Sequence, residues 1–281
     1  MGALRKECAP MSTKSQDVFG CRFLPEDITY TPSMTLIVGF PCREGVVIAC
    51  DRATQEFTPE GARQIFLSDK FRINPHNRWA CAWAGNGGSR IASRKIQIFL
   101  DAQDRRLSPE SLRRELELIG DRSSDEHQRE HGGQTSLSSC FIVYDHGKPD
   151  VSRGGIQIGF YELTVSFTSR CDPVIEYPKC LGDYSNPASF FGKSLFKQLI
   201  DEESSMDEIA FISGFIVVSG HKFNPSTIQG LSILICRPGD FSVIDKESVI
   251  DIYKRAEHIG KDIMDGVRQE CVSFKEKRAK T

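Results

Sequence analysis

Two apolar runs near the beginning of the sequence, joined by a short turn, constrain the fold more than any other feature. They cover Thr35–Phe40 and Val46–Cys50, and the segment between them, Pro-Cys-Arg-Glu-Gly, contains the proline and glycine that are typical of turns. Because both runs are apolar on both faces, they predict a buried hairpin. The hydroxyl of Thr35 opens the first run, and the carboxylate of Asp51 follows the second.

The rest of the sequence adds helices and further strands. We predict strands at Lys70–Ile73, Trp79–Ala84, Leu137–Tyr144, Ile156–Tyr161, Leu163–Thr168, Leu231–Cys236 and Phe241–Ile244. We predict helices at Ile91–Leu100, Ser108–Leu118 and Pro187–Ile200, a helix opened by the capping box of Ser205 and Glu208, and a C-terminal helix with an apolar face from Val249 to Val267. The polar stretch 120–134 is predicted to be a loop. This order predicts an α+β protein, a four-layer αββα sandwich of two antiparallel sheets packed face to face.

Composition narrows the classes of function. The chain has 281 residues and a net charge of −2, which gives no electrostatic reason to expect binding to nucleic acid or to a membrane surface. Ten scattered cysteines without a Cys-x-x-Cys pair indicate reduced thiols and a cytoplasmic protein. Residues 1–34 are interpreted as a leader or propeptide-like segment, and residues 271–281 as a basic C-terminal tail.

Two motifs suggest other chemistry. His127 and His131 match His-x-x-Glu-His, in which two histidines hold zinc, but their polar flanks offer no apolar face for the packed helix that such a site needs. We therefore expect a mobile loop without a metal. The segment Ala84–Arg90, Ala-Gly-Asn-Gly-Gly-Ser-Arg, lies between a strand and a helix and is either a tight turn or a turn that binds an oxyanion. It lacks the ending of a phosphate-binding loop, so no cofactor is expected.

A carboxylate at the end of an apolar strand needs a partner. Asp51 is in that position, at the edge of a core, where a charge is tolerated only with a cation or hydrogen-bond donors. Lys70 begins the next predicted strand and is the candidate partner. We therefore expect Thr35, Asp51 and Lys70 to lie together at one end of the sheets.

The motifs, taken in order, resemble those of a known family. The segments "TLIVGFPCREGVVIACDRAT", "DKFRI" and "WAGNGGSR" are similar to the opening of proteasome β-type subunits and of the related bacterial ATP-dependent protease ring, which are N-terminal nucleophile hydrolases. The resemblance implies that Thr35 is the nucleophile, that Asp51 and Lys70 are its catalytic partners, and that the Gly85 amide forms the oxyanion hole. "CLGDYSNP" resembles the segment that carries the family's helper hydroxyl, which would be Ser185.

This resemblance also implies an architecture and partners. Residues 35–270 would form a proteasome-like N-terminal nucleophile hydrolase domain that cleaves polypeptides as a threonine-type peptidase. The chain would associate with itself or with related subunits in a ring, and an ATP-dependent unfoldase would be a further partner.

The sequence departs from the family pattern at several positions. Met34 stands where glycine usually precedes the nucleophile, and Leu36 follows it in place of threonine. The family's later Asp-x-x-Ser-Gly-Gly segment has only Asn224 and Ser226 as weak substitutes. Three hypotheses stay open: a peptidase with Thr35 exposed by processing or by translation from Met34, a non-catalytic ring component of the same fold, and an unrelated hydrolase such as a zinc enzyme.

Overall fold

The computed structural model describes residues 35–57, 63–85, 87–130, 138–147, 157–175, 178–182, 194, 198–200, 204–225 and 228–279. The predicted leader 1–34 lies outside these residues, as does most of the predicted helix Pro187–Ile200. Among the described residues, no helix is both long enough and apolar enough to cross a membrane.

The structure contains two antiparallel sheets, a separate hairpin and four long helices in its described part. The strands are β1 Leu36–Cys42, β2 Gly45–Cys50, β3 Ala53–Phe57, β4 Arg63–Leu67, β5 Phe71–Asn74, β6 Trp79–Ala84, β7 Ser138–Asp145, β8 Ile158–Val165, β9 Arg170–Pro173, β10 Lys179–Gly182, β11 Ser232–Arg237 and β12 Asp240–Val243. The helices are α1 Gly87–Asp101, α2 Pro109–Glu130, α3 Met206–Phe223 and α4 Lys246–Ala279. The protein is therefore of the α+β class, as predicted.

The predicted buried hairpin forms the middle of the first sheet. Its strand order is β10-β1-β2-β11-β12, and all pairs are antiparallel. Every residue of β2 is buried, because β1 and β11 flank it and both of its faces are covered by apolar side chains. The predicted last hairpin is confirmed as β11 and β12.

The second sheet has the order β5-β6-β7-β8-β9 and differs from the prediction at one strand. The segments Ile156–Tyr161 and Leu163–Thr168 were expected to be separate strands, but Ile158–Val165 forms one continuous strand, β8. Glu162, which interrupts the apolar pattern, stays in the strand because Lys179 Nζ lies 2.8 Å from its carboxylate. A further hairpin, β3 and β4, occupies the connection between Asp51 and Lys70, for which the sequence predicts no strand.

Helix α2 is longer than predicted. It was expected to end at Leu118, with residues 120–134 as a loop, but it continues to Glu130. Its buried face includes Ser123 and His127, which continue the helical spacing of the leucines before them. Ser123 Oγ donates a hydrogen bond to the backbone oxygen of Ile119 at 2.7 Å, so this hydroxyl is satisfied inside the core. The loop prediction is therefore wrong for residues 120–130, where polar residues such as Ser123 continue the buried face, whereas residues 131–134 lie outside the described residues.

Three clusters of buried side chains surround the sheets. One joins the facing sides of the two sheets and includes Ile48 and Leu234 from the first and Phe141 and Phe160 from the second. The second packs the other face of the first sheet against α3 and the beginning of α4. The third packs the other face of the second sheet against α1 and α2. The capping box that begins α3 is present as predicted, with Ser205 and Glu208 bonded to each other's backbone N–H groups.

Asp145, at the end of β7, links the second sheet to the turn between β11 and β12 in the first. Its fully buried carboxylate accepts hydrogen bonds from the backbone N–H groups of Gly147 at 2.7 Å and Gly239 at 3.1 Å, and Arg78 Nη1 lies 3.4 Å away. These contacts give each carboxylate oxygen at least one donor.

We expect Asp145→Asn to lower the free energy of unfolding by about 2 kcal/mol. The amide NH2 of asparagine would replace a carboxylate oxygen that accepts a hydrogen bond, so two donors would then face each other. The midpoint of urea denaturation measures this change. Asp240→Asn, which alters an exposed residue of the same turn, is the control and should leave the midpoint unchanged. Equal midpoints for the two variants would contradict this role of Asp145.

Candidate active site

Thr35 lies immediately before β1 and is 7% exposed. Its Oγ1 accepts a hydrogen bond of 2.9 Å from Lys70 Nζ. The two residues are 35 positions apart in the sequence, so this contact depends on the arrangement of the sheets. The structure thus brings the candidate hydroxyl and the candidate ammonium into direct contact.

Asp51 completes the group. Lys70 Nζ donates to both of its carboxylate oxygens, at 2.8 and 3.0 Å. The backbone N–H groups of Leu36 and Ala53 also donate to this carboxylate, at 2.9 and 3.1 Å. Asp51, at 0% exposure, therefore accepts four hydrogen bonds from three donor atoms. An ammonium has three N–H groups, and those of Lys70 match three acceptors, two on Asp51 and one on Thr35.

Two strand ends account for the position of Asp51. In the register of β1 and β2, Ile37 is opposite Cys50, so the end of β2 meets the beginning of β1. The ladder continues by one bond beyond the strands, from Asp51 N to Leu36 O at 3.1 Å. The interval between Thr35 and Asp51 in the sequence is therefore the length of a tight hairpin.

The pKa of the Asp51 carboxyl is raised by its burial. The charge of Lys70 and the N–H groups of Leu36 and Ala53 act in the opposite direction and favour the carboxylate. A cation held between a carboxylate and a hydroxyl stabilises negative charge on that hydroxyl oxygen. The arrangement can therefore assist loss of the Thr35 proton.

A second pair of charges joins the chain neighbours of Asp51 and Lys70. Their chain neighbours, Arg52 and Asp69, form an ion pair in which Arg52 Nε lies 3.1 Å from Asp69 Oδ1, without the geometry of a hydrogen bond. Ser232 Oγ on β11 donates to the same Asp69 oxygen at 3.0 Å. We did not identify this pair from the sequence. The only sign of it in the sequence is that Asp51 and Lys70 each have a neighbour of opposite charge, Arg52 and Asp69.

Lys70 is also held through its backbone. Trp83 N, on β6, donates to Lys70 O at 3.0 Å, which ties the residue before β5 to the neighbouring strand. The next residues of β6 lead to Gly85, which has a φ of +105°. Glycine adopts this conformation without strain. Gly85 thus lies in the turn between β6 and α1, near the strand edge where Lys70 is bound.

Gly182 is a site residue that the sequence did not reveal. It ends β10, opposite Leu36 in the sheet, and has a φ of +98°. A Cβ atom at this position would lie 1.7 Å from the backbone oxygen of Thr35. Because no side chain fits there, glycine allows β10 to approach the backbone that carries the candidate nucleophile.

Three further candidates from the sequence do not belong to this group in the described part of the chain. Ser185 and Ser226 lie outside the described residues. Asn224 caps the end of α3, where its N–H donates to Gly220 O at 3.0 Å, so it has a structural role in that turn. Among these candidates, the structure brings together Thr35, Asp51 and Lys70.

The histidine motif does not lie in a loop where the structure describes it. His127 is on α2 and is 6% exposed, whereas His131 lies outside the described residues. Within the described part of the chain, no three His, Cys, Asp or Glu residues are grouped so that they could hold a metal ion.

Comparison with known proteins gives a structural likeness. No protein family and no curated protein matches the chain in sequence. The structure is similar to Anbu, an ancestral β-subunit, from Yersinia bercovieri, with a TM-score of 0.57, 12% identity, and coverage of 83% of this chain and 97% of that one. It is also similar to a Gly-1 mutant of Anbu from Hyphomicrobium sp. strain MC1, with a TM-score of 0.56, 13% identity, and coverage of 83% and 99%. The chain thus shares the fold of these proteins, which is consistent with the proteasome-like fold implied by its motifs.

We expect Gly182→Ala to displace Thr35 and to lower the free energy of unfolding by about 2 kcal/mol or more, because the added methyl group overlaps a backbone oxygen and the φ is unfavourable. Gly266→Ala is the matched control. That glycine is in the interior of α4, where an added methyl group would meet no atom within 4 Å, so the change should raise stability by about 0.5–1 kcal/mol. Thermal denaturation of the two variants measures the contrast, and equal effects would contradict the close approach.

Proposed function

We propose that this protein is a proteasome-like subunit and a threonine-type peptidase whose nucleophile is Thr35. The observation that carries the proposal is the contact of Lys70 Nζ with Thr35 Oγ1 at 2.9 Å while the same ammonium is paired with Asp51. An ammonium that is held by a carboxylate and donates to a hydroxyl is placed to stabilise negative charge on that hydroxyl oxygen. The shared fold with Anbu supports the same proposal.

The three side-chain clusters support a four-layer arrangement. We propose that α3 and α4, the first sheet, the second sheet, and α1 with α2 form the αββα sandwich of the N-terminal nucleophile hydrolases. In this arrangement, Thr35, Asp51 and Lys70 lie at one end of the two sheets, where a polypeptide would reach them.

The proposed mechanism needs a free α-amino group on Thr35. That amine, with an ordinary pKa of about 7.7–8.0, takes the hydroxyl proton directly or through one water. The Lys70 ammonium stabilises the charge that develops on Oγ1, and Asp51 keeps Lys70 charged and oriented. Oγ1 then attacks the carbonyl carbon of the scissile peptide bond.

The attack gives a tetrahedral intermediate whose oxyanion would be bound by the Gly85 amide. When the C–N bond breaks, the leaving amine takes the proton held by the α-amino group, and the acyl group remains on Oγ1 as an ester. Water then cleaves the ester and restores the hydroxyl. Ser185 is proposed as a helper hydroxyl in these proton transfers.

A non-catalytic ring component is the second candidate function. It is favoured by Met34 and Leu36, the two neighbours of Thr35 that depart from the family pattern. While residue 34 remains attached, the nitrogen of Thr35 is an amide and cannot act as a base. A ring of this chain or of related subunits, a polypeptide substrate and an ATP-dependent unfoldase are proposed partners of either form.

We expect protein that begins at Thr35 to hydrolyse fluorogenic peptides and an unfolded protein substrate, and the full chain to be inactive. Thr35→Ala in the trimmed protein should abolish hydrolysis, whereas Thr35→Ser should keep part of it, because serine supplies the same oxygen. Lys70→Ala should lower kcat/KM by about 10³-fold. Initial rates at equal concentrations of assembled protein measure these effects.

Lys95→Ala is the control for the loss of a lysine, since Lys95 pairs with Glu126 at the surface and should leave the rate unchanged. Circular dichroism should show that Thr35→Ala folds, because only a hydroxyl and a methyl are removed from a strand end. Cleavage at full rate by chains that retain residues 1–34 would exclude the mechanism. If the trimmed and assembled protein cleaves nothing, the non-catalytic function is correct.

A further inference from the structure

Asp69 belongs to a junction of three chain segments beside the candidate active site. The segments are the connection between β2 and β3, the connection between β4 and β5, and the beginning of β11. Asp69 Oδ1 accepts a hydrogen bond of 3.0 Å from Ser232 Oγ on β11, and Arg52 Nε lies 3.1 Å from the same oxygen. One carboxylate oxygen therefore joins all three segments.

Backbone hydrogen bonds hold Arg52 in the same junction. Its N–H donates to Gln229 O at 2.7 Å, and its oxygen accepts from Ser68 N at 2.9 Å. Gly230, with a φ of +70°, lies so close that an added Cβ would be 3.1 Å from the Cβ of Arg52. Exposed ion pairs contribute little where two long side chains must be ordered to form them. Here the backbone of the arginine is already fixed by its neighbours.

The outer pair, Arg52 with Asp69, is next in sequence to the inner pair of the candidate active site. Burial raises the pKa of the Cys50 thiol at the end of β2, and the charges that act on this thiol are those of both pairs. The four charged groups therefore surround the same strand end. A shift of one segment by one residue would place either the two aspartates, Asp51 and Asp69, or the two bases together. The outer pair thus favours the register in which Lys70 is the cation at Asp51.

Lys70 is held on both sides of its own position. Its backbone oxygen accepts a hydrogen bond of 3.0 Å from Trp83 N, on β6 in the second sheet. The residue before it, Asp69, is bonded through its side chain to β11 in the first sheet. These two contacts determine the point from which the lysine side chain reaches Thr35 and Asp51.

Of the three contacts of the Lys70 ammonium, the one with Thr35 is the easiest to lose. The two with Asp51, at 2.8 and 3.0 Å, join opposite charges, whereas the third, at 2.9 Å, ends on a hydroxyl. An ammonium is attracted more strongly by a carboxylate, with its full negative charge, than by a neutral hydroxyl. A small displacement of the lysine backbone would therefore break the contact with Thr35 first and leave the ion pair in place.

We propose that Asp69 is a positioning residue that keeps the Lys70 ammonium on the Thr35 hydroxyl, through its contacts with Arg52 and Ser232. The inference rests on the proposed function, because it assigns a role in the same reaction. The ammonium acts on the charge that develops on the hydroxyl oxygen. Loss of Asp69 therefore slows the chemical step and leaves substrate binding unchanged.

Peptide hydrolysis by protein that begins at Thr35 measures the effect on the rate. Asp69→Ala should lower kcat about 10-fold to 100-fold and leave KM within about twofold, because a small displacement of a catalytic group is enough for such a loss. Asp69→Asn keeps an oxygen for Ser232 and should lose less. Asp251→Ala is the matched control and should keep kcat. Asp251 is 58% exposed and lies 2.8 Å from Arg255 Nε, whereas Asp69 is 51% exposed and lies 3.1 Å from its arginine.

A double variant shows whether Asp69 acts through Arg52. Arg52→Ala should lower kcat as well, and Arg52→Ala with Asp69→Ala should be no slower than the slower single variant, because both changes remove the same contact. Circular dichroism should show that these variants fold, since the two side chains are 37% and 51% exposed. Losses of kcat that multiply in the double variant would contradict a shared role.

A second measurement does not need peptidase activity. In the full chain with ¹⁵N-labelled lysine, the NMR signal of the Lys70 ammonium is identified by its absence in Lys70→Arg. Its hydrogens should exchange slowly with water, because the side chain is 6% exposed and each N–H has an acceptor. Asp69→Ala should speed this exchange by about tenfold or more, since the hydrogen on the Thr35 side loses its acceptor. Asp251→Ala should leave it unchanged.

The two measurements separate this proposal from the proposed function. If no form of the protein cleaves peptides but exchange is faster in Asp69→Ala, the proposed function fails and the positioning of Lys70 by Asp69 is upheld. Exchange that is as slow in Asp69→Ala as in the natural chain overturns the proposal, whatever the rates. An unchanged kcat of Asp69→Ala in an active enzyme also overturns it, as does an equal loss in Asp251→Ala.

Discussion

The ion pair of Asp51 and Lys70 fixes the relative positions of three strand ends. Both side chains are almost without solvent contact, and transfer of such charges from water is unfavourable by several kcal/mol for each ion. The pair is tolerated because Asp51 accepts four hydrogen bonds and Lys70 Nζ donates to three acceptor atoms. Loss of either partner would leave an unpaired buried charge and would lower the free energy of unfolding by about 3–5 kcal/mol. The end of β2 and the beginning of β5 therefore cannot move independently of the beginning of β1.

The sequence predicted this group because its members lie at boundaries between apolar and polar segments. A carboxylate after an apolar strand needs a cation, and Lys70 was the next one at a strand boundary. The support around the group could not be predicted in the same way. Gly182 meets Thr35 only after β10 has paired with β1, and all five strands of the second sheet lie between these two strands in the sequence. The Arg52–Asp69 pair likewise depends on the hairpin of β3 and β4, which the sequence pattern does not predict.

The errors in the predicted fold have a common physical cause. A periodic pattern treats polar residues as exposed, but a hydrogen-bond or charge partner offsets much of the cost of burying a polar side chain. Ser123 is bonded to the turn before it, and Glu162 is paired with Lys179 on the first sheet. These partners allow α2 and β8 to continue where the apolar pattern stops. Elements such as α3, whose capping box is local in sequence, were predicted correctly because no distant contact is needed to form them.

Two backbone hydrogen bonds of Leu36 restrict the motion of the chain at the beginning of β1. Its N–H donates to the Asp51 carboxylate and its oxygen accepts from the Asp51 N–H, while Gly182 is opposite on the other side. Chain ends normally fray, because their last residues lack neighbours on one side. A chain that began at Thr35 would instead start one residue before a position fixed on both sides. Its terminal amine and hydroxyl would be as well ordered as the interior of the sheet before any substrate arrived.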